Sequence, residues 1–141
     1  MRSAAPPSCA RAAPPELLDV DVIGGGLPHA KIAEACALAA ASAGIEDGHV
    51  AVEFVDAARI AELNSEHRGR SGPTDVLSFP VDEAGMAAGP RELGDVVICP
   101  EHTEDLLEAV VHGVLHLTGM DHEQDDGEML ALQAEILKWM R

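Results

Sequence analysis

Residues 17–55 read LLDVDVIGGGLPHAKIAEACALAAASAGIEDGHVAVEFV, and this stretch decides the class of fold. Leu17 to Ile23 alternates apolar and acidic residues, the period-two signature of a half-buried strand. Gly24-Gly25-Gly26 ends that strand. Pro28 falls where a first helical turn begins, and Ile32, Ala35, Leu38 and Ala39 keep helical spacing as far as Gly44. His49 to Val55 alternates again. The stretch therefore predicts a strand, a helix and a second strand in succession.

Working outward, Asp56 is an N-cap residue for a helix over Ala57 to about Glu66, because its carboxylate can accept from the first free backbone N–H groups. Ile60 and Leu63 then face the core. His67 to Asp75 (HRGRSGPTD) is rich in Gly, Ser and Pro and predicts a loop. Val76–Phe79 and Asp95–Cys99 are short apolar runs that predict two more strands, joined by a Gly/Pro-rich connection. Helical spacing runs from Glu101 to about Thr118 and ends at Gly119, a natural residue for the position just past a helix. A last helix is expected from near Asp125, with Glu128 reaching back in a capping box, and with Met129, Leu132, Ile136 and Trp139 or Met140 on its buried face. Strands and helices intermixed in this way predict an α+β domain with a mixed sheet of about four strands and helices packed over it. The strand order does not follow from the pattern.

The composition of the 141 residues supports a single globular domain over residues 16–141. Apolar residues make up 47% of the chain, enough for a core without disulfide or metal staples, although aromatics are only 2% and Leu, Val, Ile and Ala must fill it. No apolar run approaches the roughly 18 residues of a membrane span. Met1–Pro15 is rich in Ala and Pro, lacks the apolar segment of a secretory signal, and is expected to be a disordered tail. Cys9, Cys36 and Cys99 are too scattered for a CxxC site or a disulfide framework and predict reduced thiols in a cytosolic protein. Nine Lys and Arg against 25 Asp and Glu give a net charge of −16, which opposes non-specific adhesion to nucleic acid or anionic membrane. Arg59, Arg68 and Arg70 lie close together in mid-chain, whereas no Lys or Arg stands between Arg91 and Lys138. An anion is therefore met near those arginines or at a bound metal.

The chemistry is concentrated in Val111–His122, VHGVLHLTGMDH. His112 and His116 are four apart in a helical stretch, so both imidazoles leave the same face one turn apart. That spacing lets two nitrogens reach one ion at about 2.0–2.1 Å. Gly119 breaks the helix, and the turn at Met120-Asp121 can bring His122 back to the same point. Three imidazoles without a fourth protein ligand leave an open coordination position, as catalytic zinc sites do. Chance would supply this spacing of histidines only roughly 0.02 times in such a chain, so coincidence explains it poorly. In H-E-x-x-H metalloproteases the residue after the first histidine is a glutamate base; here it is Gly113, so peptide hydrolysis by that route lacks its base unless Glu123 or another carboxylate substitutes. Arg68 stands where a helix gives way to a glycine-containing loop and can offer a planar fork of donors to a phosphate. An arginine so placed otherwise caps carbonyls or forms a surface ion pair.

Together, HGVLHLTGMDH, LNSEHRGRSGPTDVLSFP, GDVVICPE and the closing GEMLALQAEIL resemble the YbeY family of metal-dependent endoribonucleases, over roughly Leu17 to Arg141. The resemblance implies a mixed α/β fold with a zincin-like metal helix, and one Zn²⁺ held by His112, His116 and His122, although other divalent transition metals suit three histidines. It implies a functional role for Arg68. It further implies a single-strand-specific endoribonuclease acting in 3′-end processing of small-subunit ribosomal RNA and in ribosome quality control. The partners are then ribosomal RNA and the small ribosomal subunit or its proteins, in the cytoplasm and without a membrane. Two other readings stay open: a ribosome-assembly factor with a purely structural metal, and a zincin-like metallohydrolase of another substrate. Two positions depart from the family pattern, His67 and Met120, where an aromatic residue is common; local repacking is the expected consequence. The segment from Pro100 to Val110 is also short for the family, which implies a truncated lead into the histidine helix.

Overall fold

The computed structural model describes residues 18–81, 92–121 and 125–141. The expected tail, Cys9, the connection at 82–91, His122 and Glu123 lie outside these residues. Strand β1 (Leu18–Ile23) leads into α1 (His29–Ser42) and β2 (Gly48–Phe54), as the opening stretch predicts. Next come α2 (Ala57–Arg68), β3 (Val76–Pro80), β4 (Glu92–Ile98), a 3₁₀ turn at Pro100–His102, α3 (Leu106–Leu117) and α4 (Glu128–Met140).

The four strands form one sheet in the order β1-β2-β4-β3. β1 runs parallel to β2, with Val20 opposite Val50, and β2 runs parallel to β4, with Val52 opposite Val96. β3 closes the other edge antiparallel to β4, with Ser78 opposite Val96. The sheet is thus mixed, and its order is set by a crossover that no local signal encodes.

Two apolar clusters fix the layers. The larger joins Val20, Val50, Val52, Val96 and Ile98 of the sheet to Ile32 and Ala39 of α1, Val110 and Val114 of α3, and Met129 and Ile136 of α4. The smaller, on the opposite face, joins Leu77, Val97 and Cys99 to Ile60 and Leu63 of α2. α1 buries a face made almost entirely of Ala and Cys36, which lets the helix backbone approach its neighbours closely. Burial pushes the Cys36 thiol up to about 12, and Cys99 is buried as a free thiol too. A Cys36 thiol so raised does not supply the thiolate that a reactive or metal-binding cysteine needs.

Three helix boundaries differ from those predicted. α2 runs on through His67 and Arg68 before Gly69 ends it, so both side chains leave the last turn of a helix rather than a loop. α3 starts at Leu106, because Pro100–His102 closes a separate 3₁₀ turn and Thr103 is extended; Asp105 is its cap, accepting from the Glu108 N–H at 3.1 Å. α4 starts at Glu128 rather than Asp125, because Gly127 takes a left-handed conformation that no continuous helix contains. Asp125 still caps from outside, accepting from Gly127 N and Met129 N at 2.8 and 3.0 Å, while Glu128 accepts from Asp126 N instead of closing a box.

Candidate active site

α3 lies across β3 and β4 with its small residue downward. A Cβ on Gly113 would stand 2.4 Å from Val96 Cγ1 and 3.3 Å from Ser78 Oγ, so only glycine allows this approach. Ser78 Oγ donates to the Gly113 carbonyl at 3.0 Å, tying helix to sheet. The position that carries the glutamate base in H-E-x-x-H proteases therefore faces the sheet at close quarters, and no side chain fits there.

With Gly113 against the sheet, His112 and His116 turn to the open side, half-buried, with ring centroids 4.7 Å apart and planes at 76°. Each ring has its Nδ1 engaged. His116 Nδ1 lies 2.9 Å from the Met120 carbonyl oxygen, which can only accept, so the proton sits on Nδ1 and the lone pair on Nε2. The turn after α3 makes that contact possible. Gly119, at φ 105°, reverses the chain so that its N–H meets the His116 carbonyl at 3.0 Å and the Met120 N–H meets the Leu115 carbonyl at 3.2 Å. This paired closure is the Schellman motif. His112 Nδ1 lies 2.7 Å from Oε1 of Gln133, a residue of α4 that is only 9% exposed.

Both histidines line a cleft of about 1250 Å³. Arg68, Arg70, Ser78 and Thr103 line the same cleft. The guanidinium groups of Arg59 and Arg141 are engaged, by Glu62 and by Asp105 respectively. Among the described residues, Arg68 and Arg70 have no carboxylate partner. The loop that bears Arg70 is pinned to α2 by Asn64, whose buried Nδ2 donates to the Gly72 carbonyl at 3.0 Å. His67, where the family favours an aromatic, packs edge-on to Phe79 with ring centroids 4.9 Å apart. Asp121 reaches the same cleft, as do Glu104 and Glu108.

The structure thus gathers Arg68, His112 and His116, which stand far apart in sequence, around one space. His122 lies outside the described residues, among which no three His, Cys, Asp or Glu side chains are grouped to hold a metal. Two imidazoles on one helix face with their Nδ1 atoms held by acceptors nevertheless suit a divalent metal, because each ring then carries its lone pair on Nε2, the atom that would ligate the ion. Gln133 was not among the candidates read from the sequence. Its signal was a polar residue in the apolar stripe Met129, Gln133, Ile136 and Met140, since a buried amide requires a partner.

A family model described as Endoribonuclease YbeY matches residues 29–141. The chain is 41% identical over 113 residues to the Endoribonuclease YbeY of Corynebacterium efficiens, a match covering 64% of this chain and 56% of that protein. It is 43% identical over 112 residues to the Salinispora tropica protein of the same name, covering 62% and 71%, and 40% identical over 121 residues to that of Bacillus cytotoxicus, covering 70% and 78%. The solution structure of TM1509 from Thermotoga maritima is similar with a TM-score of 0.53 and 32% identity, over 86% of this chain and 91% of that one. On the match of the family model across most of its length, this chain belongs to the YbeY endoribonuclease family.

Proposed function

We propose that the cleft is the active site of a metal-dependent, single-strand-specific endoribonuclease that acts in the cytoplasm on the 3′ end of small-subunit ribosomal RNA and in ribosome quality control. The observation that carries this reading is the shared cleft of Arg68, His112 and His116. His112, His116 and His122 would hold the metal, zinc being the first choice for three imidazoles. Such an ion, when bound, supplies polarisation of a phosphoryl oxygen and a lowered pKa for water. Arg68 contacts the scissile phosphate through its planar fork and stabilises the charge that builds there. Asp121, which lines the cleft, and Glu123, two residues further along the sequence, are the candidate helpers for proton movement, and Gly113 can take no part in it.

The charge of −16 opposes capture of naked RNA, so affinity for free RNA is weak and salt-sensitive, and the substrate is presented by the small ribosomal subunit. The same charge favours one competing reading, an assembly factor with a structural metal. The two separate on a single assay. Incubation with single-stranded and duplex ribosomal RNA fragments should give cuts in the single strand only, abolished by a chelator and restored by zinc. Cuts indifferent to chelation, or none on any RNA while zinc removal unfolds the chain, overturn the proposal.

A further inference from the structure

We propose that Gln133 is a positioning residue for the metal centre: its amide oxygen accepts the Nδ1 proton of His112 and so commits Nε2 of that ring to the ion. The inference rests on the metal reading above and extends it to α4, an element that contributes no ligand. The distance is 2.7 Å, and Gln133, only 9% exposed, reaches from α4 to the His112 ring at the edge of the cleft, so the hydrogen bond is partly shielded from water. The two histidines are oriented by different means. His116 is held by the chain itself, through the Met120 carbonyl four residues on, whereas His112 depends on a side chain 21 residues away. The orientation of His112 is therefore tied to the seating of α4.

That seating has a second anchor. The Arg141 guanidinium grips both carboxylate oxygens of Asp105 at 2.7 and 2.6 Å, joining the end of α4 to the cap of α3. Gln133 on α4 and Arg141 just past its end lie about two turns apart and meet α3 near its middle and at its cap. A neutral amide at this position orients the ring without adding negative charge beside it, unlike the carboxylate that often accompanies metal-bound histidines.

The test uses the full chain, metal-free and then titrated with Zn²⁺ against a chromogenic chelator. Gln133→Met keeps the length of the side chain and removes the acceptor; Gln133→Glu keeps an acceptor. Gln133→Met should bind zinc about 10–100-fold more weakly with unchanged circular dichroism, and Gln133→Glu should restore the affinity. Nitrogen-15 NMR of the metal-free wild type, above the imidazole titration range, should show His112 protonated on Nδ1. A folded Gln133→Met with wild-type affinity, or a His112 proton on Nε2, overturns the proposal alone. A wild-type chain that binds no zinc overturns the metal reading and this proposal with it. Should Gln133→Met fail to fold, the wild-type tautomer decides.

Discussion

Ser78 Oγ donates a 3.0 Å hydrogen bond to the carbonyl oxygen of Gly113, in the middle of the helix that bears the two histidines. This contact, and the absence of a side chain at Gly113, press α3 onto β3 and β4 and leave His112 and His116 facing the cleft. Gly113→Ala places a Cβ where Val96 Cγ1 already stands, and Val96 is fully buried and stiff at χ1. The substitution should cost about 1–3 kcal/mol, read as a lower urea midpoint with unchanged slope. A stability equal to wild type would mean that α3 is free to lift from the sheet.

Gly119 makes a different demand, that of backbone conformation. At φ 105° an alanine is strained by about 1–2 kcal/mol, although nothing crowds its Cβ. Gly119→Ala should lower stability by that amount. It should also weaken zinc binding, because the carbonyl of Met120 would no longer meet His116 Nδ1. Loss of stability with unchanged zinc affinity in a chelator competition would separate the turn from the site.

His49 bridges three strands away from the cleft, with Nε2 2.8 Å from Asp21 and Nδ1 2.8 Å from Glu92. Its pKa is raised, first by the hydrogen bond to Glu92 and next by that to Asp21. A raised folded-state pKa stabilises the fold fully below the ordinary imidazole range, and the contribution fades as pH climbs through the folded value. Wild type should therefore exceed His49→Gln in stability most at acidic pH, with the margin shrinking as pH rises from the ordinary imidazole range upward. Urea midpoints across that range provide the check, and a margin that is flat or grows with pH would contradict the bridge.

The sequence disclosed local features better than long-range ones. Asp56 was legible as a cap, and the structure has its carboxylate accepting from Arg59 N at 2.8 Å. Gly119 was legible as a helix stop. The late start of α3 was signalled by Asp105 with Glu108 three residues on, but helical spacing running back to Glu101 masked it. The left-handed Gly127 that delays α4 follows from a turn that two flanking acids obscure. Strand order depends on which faces find partners across the molecule, so β4 between β2 and β3 could not be read from periodicity. The Nδ1 acceptors of the histidines were equally hidden, since one is a backbone carbonyl and the other lies on a helix whose apolar stripe suggested packing alone.

The central claim is that one cleft joins Arg68 to a histidine-held metal for RNA cleavage. Its most direct test is cleavage of ribosomal RNA by matched preparations of wild type, Arg68→Ala and His116→Ala, with and without added Zn²⁺. The account predicts cuts by wild type that fall by about 10²–10³-fold in Arg68→Ala, as when a preorganised transition-state donor is removed. It predicts their loss in a folded His116→Ala whatever zinc is supplied. Identical cuts in all three preparations would contradict it.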